Sequence, residues 1–397
     1  MALEAIMDFS LPEDVLMIRD AVRQFVEREL LPLEQEYGFE EYNLTAEKHA
    51  ELVQKVKDAG LWGLFVPEEY GGPADIGWVG KTAVQEEIFA TLVGHTVFGR
   101  PITEALYLCN DEQKERYLLP ALWGDKSASF GVTEPVSGTD PSMMASYAVA
   151  EDGKYIVNGR KIFISGAENA DFMLLYARLR GSTGRDGITS FLVDCDTPGF
   201  VVERQIPVIA MPSGSRTESP CEVSLTDVEI PARNVLGTAG EGWTNLQGSL
   251  GGIRLGFGAR CVALAEKCLK LARDHALSRE TFGKPLADRQ AVQWMIADSA
   301  IAIESLRWIT YHAAWKLDQN LDARPEISML KIVGSEMLEK VSDSAMQIHG
   351  SLGVSKELPM EHIFRGARVD RIVDGPNEIH RFVLARNIIR GYWFPGY

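Results

Sequence analysis

The chain has 397 residues, a formal charge of -16, a hydrophobic fraction of 46% and a charged fraction of 24%. This is the make-up of an ordinary soluble globular protein, long enough for two or three domains with ample core. The acidic balance argues against nucleic acid, whose phosphates demand a basic face. At the N-terminus Asp8 to Asp14 is acidic and broken by Pro12 rather than basic and apolar, and no later run reaches the length of a membrane span. The sequence therefore reads as intracellular.

From Phe9 to about Trp123 the pattern is helical. Asp8 to Asp14 supplies a polar cap, a proline and an acidic first turn, after which Leu16, Ile18, Val22, Phe25 and Val26 recur at helical spacing. Glu47 to Ala59 repeats the form and stops at Gly60, and Leu61 to Gly72, holding Pro67 and paired glycines, is a loop between helices. Near Ser127 the period changes from about 3.6 to 2. Tyr147–Val149, Tyr155–Val157 and Lys161–Ile164 read as short strands with Asp-Gly and Asn-Gly turns between them, and Phe172–Leu179, Ile188–Val193, Phe200–Arg204 and Glu222–Ile230 add more. This middle third is expected to be a small antiparallel barrel or sandwich. From Gly242 the chain is helical again, with amphipathic stretches at Leu255–Leu277, Ala287–Leu317 and Ile327–His349 that would form a bundle. The fold class is α+β, with expected domains at 1–126, 127–240 and 241–397.

The cysteines, Cys109, Cys195, Cys221, Cys261 and Cys268, form no CxxC pair and have no His-rich companion, so neither a disulfide framework nor a metal site is indicated. Cys261 and Cys268 share a helical face as buried thiols. No GxGxxG follows a strand and opens a helix, which excludes the usual dinucleotide fold. The most informative stretch is Gln347 to Arg386. There Ile372 and Val373 lead Asp374 into a Gly-Pro turn, and Pro376 marks the start of a helix. A carboxylate at that positive helix end is favoured in its ionised form, as a base needs, although a helix cap fits the same residues. His349 and His380 invite a base assignment because an unperturbed imidazole titrates near neutrality, but a matched carboxylate lies nearby, and packing or capping suits His380 better.

The C-terminal run of QIHG, Glu357-x-Pro359-x-Glu361, Arg365-x-x-Arg368 and Asp374-Gly375-x-x-Glu378 resembles the signature of the acyl-CoA dehydrogenase family. So do Gly63-Leu64 through Pro67-Glu68-Glu69-Tyr70-Gly71-Gly72, the Thr133-Glu134-Pro135-Val136-Ser137-Gly138-Thr139-Asp140 loop, the Lys161-Ile162-Phe163-Ile164-Ser165 strand and Arg279-x-x-Phe282-Gly283. The likeness covers nearly the whole chain, and the helical, β, helical order is the family's architecture. It implies an FAD-dependent enzyme in which Asp374 takes the α-proton of an acyl-CoA thioester while hydride leaves the β-carbon for the flavin, giving a trans-2-enoyl-CoA. Electrons would pass on to an electron-transferring flavoprotein.

By the same resemblance Thr133, Phe163 and Ser165 would contact the flavin ring, and Gln347, Gly350 and Glu378 would lie along the rest of the FAD. Arg279, with Phe282, would reach the FAD pyrophosphate from a neighbouring subunit. From the residues alone, the Ser/Gly/Thr loop reads as a turn and Phe163 as a core aromatic. Thr139 and Arg254, the latter taken to begin the first bundle helix, would bind substrate. The family norm is a dimer of dimers, in the cytoplasm or, for a mature eukaryotic chain, the mitochondrial matrix. Most members carry Glu where this chain has Asp374, and Ile253 occupies the base position of another subgroup. Ser351 stands for a common Gly, and Pro376 for Thr with the loss of one cofactor contact. The shorter acid and the small Val373 point to a branched, cyclic or bulky acyl group. Two further readings remain open: a nitroalkane oxidase-like flavoenzyme, which also uses Asp, and a flavoprotein subunit without turnover.

Overall fold

The computed structural model describes residues 10–40, 44–99, 102–209 and 219–394; the side chains at 249–251 and of Ile253 lie outside that description, as do Asp8 and Phe9. The N-terminal part is helical: α1 (Glu13–Phe25), α2 (Leu33–Tyr37), α3 (Ala46–Asp58), α4 (Gly77–Ile88) and the short α5 (Asp111–Gln113) and α6 (Leu119–Trp123). Of the expected polar cap of α1, Asp8 lies outside the described residues. The N-cap is Pro12, which offers no side-chain acceptor, and the acidic first turn of Glu13 and Asp14 meets the positive helix end instead. Thr45 caps α3 by accepting from the Lys48 amide at 3.2 Å.

The middle of the chain forms one curled seven-stranded sheet: β1 (Ala128–Gly131), β2 (Tyr147–Glu151), β3 (Lys154–Ser165), β4 (Phe172–Leu179), β5 (Ile188–Asp194), β6 (Phe200–Gln205) and β7 (Pro220–Pro231). β5 pairs antiparallel along β4. β1 and then β2 pair parallel with β4, so the sheet is mixed rather than wholly antiparallel. Asn158-Gly159, expected as a turn, instead lies inside the continuous β3. Asn158 exchanges hydrogen bonds of 2.9 Å with Asp227 across the β3–β7 ladder, and the register slips there as a bulge. β4 is buried on both faces: Phe172, Leu174 and Tyr176 pack on the N-terminal helices, whereas Met173, Leu175 and Ala177 face the interior of the sheet. That double burial makes β4 a continuous apolar run and fixes the sheet against the first helices.

The C-terminal part holds α7 (Gly242–Ser278), α8 (Gln290–Asp318), α9 (Arg324–His349), α10 (Met360–Asp370) and α11 (Asn377–Ile389), with α9 packed on the other four. α7 begins well before the expected Leu255, and Arg254 lies inside it. Glycines at 248, 251, 252, 256 and 258 hide the helical period in sequence, but three of them serve close approach. Gly252 faces Trp78 and Glu104, Gly256 faces Gln85, and Gly258 faces Thr310. Between α7 and α8 the chain makes a hairpin, β8 (Glu280–Thr281) and β9 (Lys284–Pro285), turned by Phe282 at φ 50° and Gly283 at φ 71°.

Candidate functional site

Asp374 lies on the turn joining α10 to α11. Its φ is 55°, a left-handed conformation that a non-glycine residue adopts at a cost of about 1–3 kcal/mol unless its surroundings hold it. The holding groups are visible. Arg254 of α7 donates from Nε at 3.1 Å and from Nη2 at 2.9 Å to the Asp374 main-chain carbonyl. Upstream, the Asp370 carboxylate pairs with Arg260 at 2.6 Å and the Asp370 carbonyl accepts from the buried Lys331. Arg371 pairs with Glu339 at 2.8 Å. Downstream, Asn377 is buried, its amide donates to the Arg371 carbonyl at 3.1 Å, and its side chain donates to Ser335 at 2.9 Å.

Asp374 is not the cap of α11. That place belongs to Pro376, with no side-chain hydrogen bond, and the carboxylate stands exposed beside the exposed Ile372 and Val373. His380 is buried beneath the turn and held neutral. Burial first, then the charges of Arg254 and Lys331, push its pKa down to about 4. His349 is buried too, its Nδ1 lying 2.8 Å from the Ala345 carbonyl while the ring stacks on His275 at 4.3 Å. Neither imidazole is presented as Asp374 is.

The other singled-out residues lie in two groups. Thr133, Phe163 and Ser165 share one rim of the sheet, where the Ile162 amide donates to the Thr133 carbonyl at 2.9 Å. Phe163 is not a core aromatic. It is 54% exposed, sits at φ 57° and occupies a register shift between Lys161 and Ile164. Behind this rim a fully buried ion pair joins strand to loop: the Lys161 ammonium lies 2.7 Å from Glu134 and donates to the Val132 carbonyl at 3.2 Å. Glu134 also accepts from the Ser146 amide at 3.1 Å. Thr139 is exposed at the end of the same loop.

The second group is at the far end of the bundle. The His275–His349 stack brings the end of α7 to the end of α9, and with them Arg279, Phe282, Gln347 and Gly350. Glu378, in the first turn of α11 close to Asp374, is exposed, as are Arg279 and Gln347 of this second group, and Phe282 is 99% exposed. Among the described residues no hydrogen bond, ion pair or ring contact joins this group to Phe163 or Asp374. The structure thus unites Arg254 with Asp374, and Thr133 with the Phe163 strand, but leaves the hairpin apart.

Sequence reasoning missed Lys331, Asp370 and the pairing of Glu134 with Lys161. The signal for Lys331 was a single lysine inside the apolar run Ile327 to Val333. Of the signature arginines, Arg365 is engaged within the fold, holding Glu361 at 2.7 Å and Glu40 at 2.8 Å. No helix among the described residues is long and apolar enough to cross a membrane.

Two helical units flank a curled sheet, and an exposed acid stands on the braced turn between α10 and α11. Family models for the N-terminal, middle and C-terminal domains of acyl-CoA dehydrogenase match residues 12–125, 129–228 and 240–389. The chain belongs to the acyl-CoA dehydrogenase family of oxidoreductases. It is 37% identical to (R)-benzylsuccinyl-CoA dehydrogenase of Thauera aromatica over 402 residues, covering 96% of this chain and 97% of the relative. A solved putative acyl-CoA dehydrogenase from Mycobacterium abscessus superposes with a TM-score of 0.89 at 31% identity, over 97% of this chain and 100% of that one. The FAD complex of PigA gives 0.86 at 26% identity, over 96% and 99%.

Proposed function

We propose that the protein is an FAD-dependent acyl-CoA dehydrogenase that introduces a trans-2 double bond into a branched, cyclic or otherwise bulky acyl-CoA. The single observation that carries this reading is Asp374: an exposed carboxylate on a left-handed turn, clamped through its own carbonyl by Arg254 and flanked by exposed apolar Ile372 and Val373. Aspartate is one methylene shorter than glutamate, which retracts the carboxylate by roughly 1.5 Å. Together with the small Val373 this favours a wide acyl group, and the similarity to a relative named for benzylsuccinyl-CoA points the same way.

The donor set fits FAD. Thr133 and Ser165 offer hydroxyls beside the exposed Phe163 ring on one rim, and a strained, solvent-facing aromatic on a strand calls for a flat partner. Arg279, Phe282, Gln347, Gly350 and Glu378 would hold the remainder, with Arg279 and Phe282 contributed by a second subunit, because their own chain leaves them apart from the rim. When bound, the flavin supplies the acceptor for the β-hydride. Asp374 receives the α-proton, presented by the turn that Arg254 braces. Thr139, and Arg254 through the turn it fixes, orient the thioester.

An exposed stripe on α8 supports assembly. Trp294, Ile301, Trp308 and Trp315 recur every seven residues and are 46–65% exposed, the spacing of a helix seam awaiting another helix. A dimer of dimers, a soluble intracellular location and an electron-transferring flavoprotein as acceptor complete the reading. The test is anaerobic titration of the yellow holoprotein with straight, branched, cyclic and aromatic acyl-CoAs. Bleaching by one class, abolished in Asp374→Asn, is expected; a flavin that no thioester bleaches would overturn the assignment.

A further inference from the structure

We propose that Glu134 and Lys161 are positioning residues for the flavin: the buried pair keeps Lys161 inside the sheet, and that forces the bulge which presents Phe163 beside Thr133. The inference rests on the reading of that rim as the flavin contact.

Residues paired across an antiparallel ladder share a face, and alternate residues of a regular strand return to it. Val223 and Cys221 of β7 both point into the interior of the sheet. Their partners on β3 are Lys161 and Ile164, an odd spacing that a regular strand does not allow. The extra residue is taken up as a bulge at Ile162-Phe163, which leaves Phe163 left-handed and solvent-facing. Two regular ladders would remove the strain. In one, Phe163 enters the interior in place of Ile164. In the other, β3 slides by one residue, so that Ile162 lies inside and Lys161 outside. The second would also return the ammonium to water, where an unpaired lysine belongs.

Lys161 stays inside because its partners are there. It is fully buried, its Nζ lies 2.7 Å from Glu134 and donates to the Val132 carbonyl at 3.2 Å, and it thereby holds the residues on either side of Thr133. Glu134 is anchored in turn by the Ala145 amide at 2.5 Å and the Ser146 amide at 3.1 Å. The Ile162 amide donates to the Thr133 carbonyl at 2.9 Å, which fixes the strand at the bulge itself and opposes the first alternative. Sliding β3 would break the contacts of Lys161 together. An ion pair whose groups are also hydrogen-bonded to the main chain selects one register, where apolar packing would accept either.

The test measures the FAD dissociation constant of the full-length protein in four forms: wild type, Phe163→Ala, Glu134→Gln and the two combined. Acetic anhydride labelling of Lys161, read by peptide mass spectrometry on the FAD-loaded forms, reports the register directly. Glutamine suits the purpose because both oxygens of Glu134 receive N–H groups, so its amide turns a donor on one of them. Lys161 is expected to be protected in the wild type and labelled in Glu134→Gln. FAD should bind about tenfold more weakly in each single variant, with less than about twofold further loss when they are combined. Should Glu134→Gln not fold, Lys161→Ser with Glu134→Gln strands no charge and gives position 161 no claim on the interior; it takes the same place in the cycle, with the same expectation. Losses that multiply to about a hundredfold would mean that the pair acts apart from Phe163, and overturn the inference. So does wild-type FAD binding in the folded pair variant, or a Lys161 that stays protected in folded Glu134→Gln. FAD binding unchanged by Phe163→Ala is instead the failure of the rim as the flavin contact.

Discussion

Replacing Arg254 with glutamine separates two roles that the same side chain could have. The sequence reading puts it against the CoA; the structure aims its fork at the Asp374 carbonyl, at 3.1 and 2.9 Å. A hydrogen bond from a charged donor contributes about 1.5–3 kcal/mol, comparable with the about 1–3 kcal/mol needed to keep a non-glycine residue left-handed. Without the fork the turn can relax and the carboxylate leaves its aim. Carried wholly into the proton-transfer step, that loss corresponds to a slowing of roughly 10- to 150-fold. Arg254 is only partly buried, so water can replace some of the bonding, and the lower end of about tenfold is the expected result. Arg254→Lys should recover little, because an ammonium cannot reproduce a planar two-donor fork. The assay is the limiting rate of anaerobic flavin bleaching together with its half-saturation concentration. The clamp predicts a fall in the limiting rate at nearly constant half-saturation. Weakened half-saturation with an unchanged limiting rate would refute the clamp and return Arg254 to the CoA.

Glu86 on α4 gives a pH-dependent prediction away from the site. Burial pushes its carboxyl up to about 7 against the pull of Arg307, 3.3 Å away. The folded pKa lies above the unfolded one, so the folded state binds the extra proton between about 4.5 and 7, and stability is lost as pH rises through that window. A shift of this size corresponds to about 3 kcal/mol. Glu86→Gln should therefore outlast the wild type in urea at pH 8, with the two converging by pH 5; equal resistance at pH 8 would contradict the argument. Trp308→Glu, at the middle of the α8 stripe, should reduce the sedimenting species to a smaller one and weaken FAD retention, and an unchanged sedimentation coefficient would remove α8 from the interface. Lys161→Met alone should destabilise by about 3–5 kcal/mol because it strands a buried carboxylate, and adding Glu134→Gln should recover most of that. Failure of the second change to rescue the melting temperature would show that the pair does more than balance charge.

Much of the fold was legible because its signals are periodic. The change from helical to alternating pattern near Ser127 and the return to helix at Gly242 coincide with the first strand at Ala128 and the start of α7. What sequence misplaced were elements whose local signals serve a distant partner. Asn158-Gly159 has the composition of a hairpin turn, yet Asn158 spends its side chain on Asp227 and the strand runs on. The glycines near the start of α7 blur its amphipathic pattern, but Gly252, Gly256 and Gly258 let Trp78, Gln85 and Thr310 approach the helix. Conversely, a glycine after a long helix has the composition of a helix stop, yet two consecutive left-handed residues, Phe282 and Gly283, make a hairpin there. In each case tertiary contact outweighs local propensity.

The candidate site stands out in the sequence for a different reason. Among the described non-glycine residues with positive φ, Asp152, Asp227 and Asn320, like Asp374, are of the Asp and Asn types that tolerate that region, and Phe163 and Phe282 join Asp374 as the members that lie in motifs. Two phenylalanines gain nothing locally from such a conformation, and both are exposed. All three lie in motifs singled out from sequence, so backbone strain and motif select the same positions independently. Strain of this kind persists only where neighbours enforce it. For Asp374 the enforcing groups are Arg254, Lys331, Arg260 and Asn377, drawn from three helices, and for Phe163 the buried Glu134–Lys161 pair lies directly behind the bulge. The bracing residues are buried and dispersed through the chain, and a lone lysine in an apolar helical stretch does not announce which turn it holds. Motifs therefore reveal the residues that face outward from the scaffold, whereas the charges that hold them in place emerge only once α7, α9 and α10 are packed together.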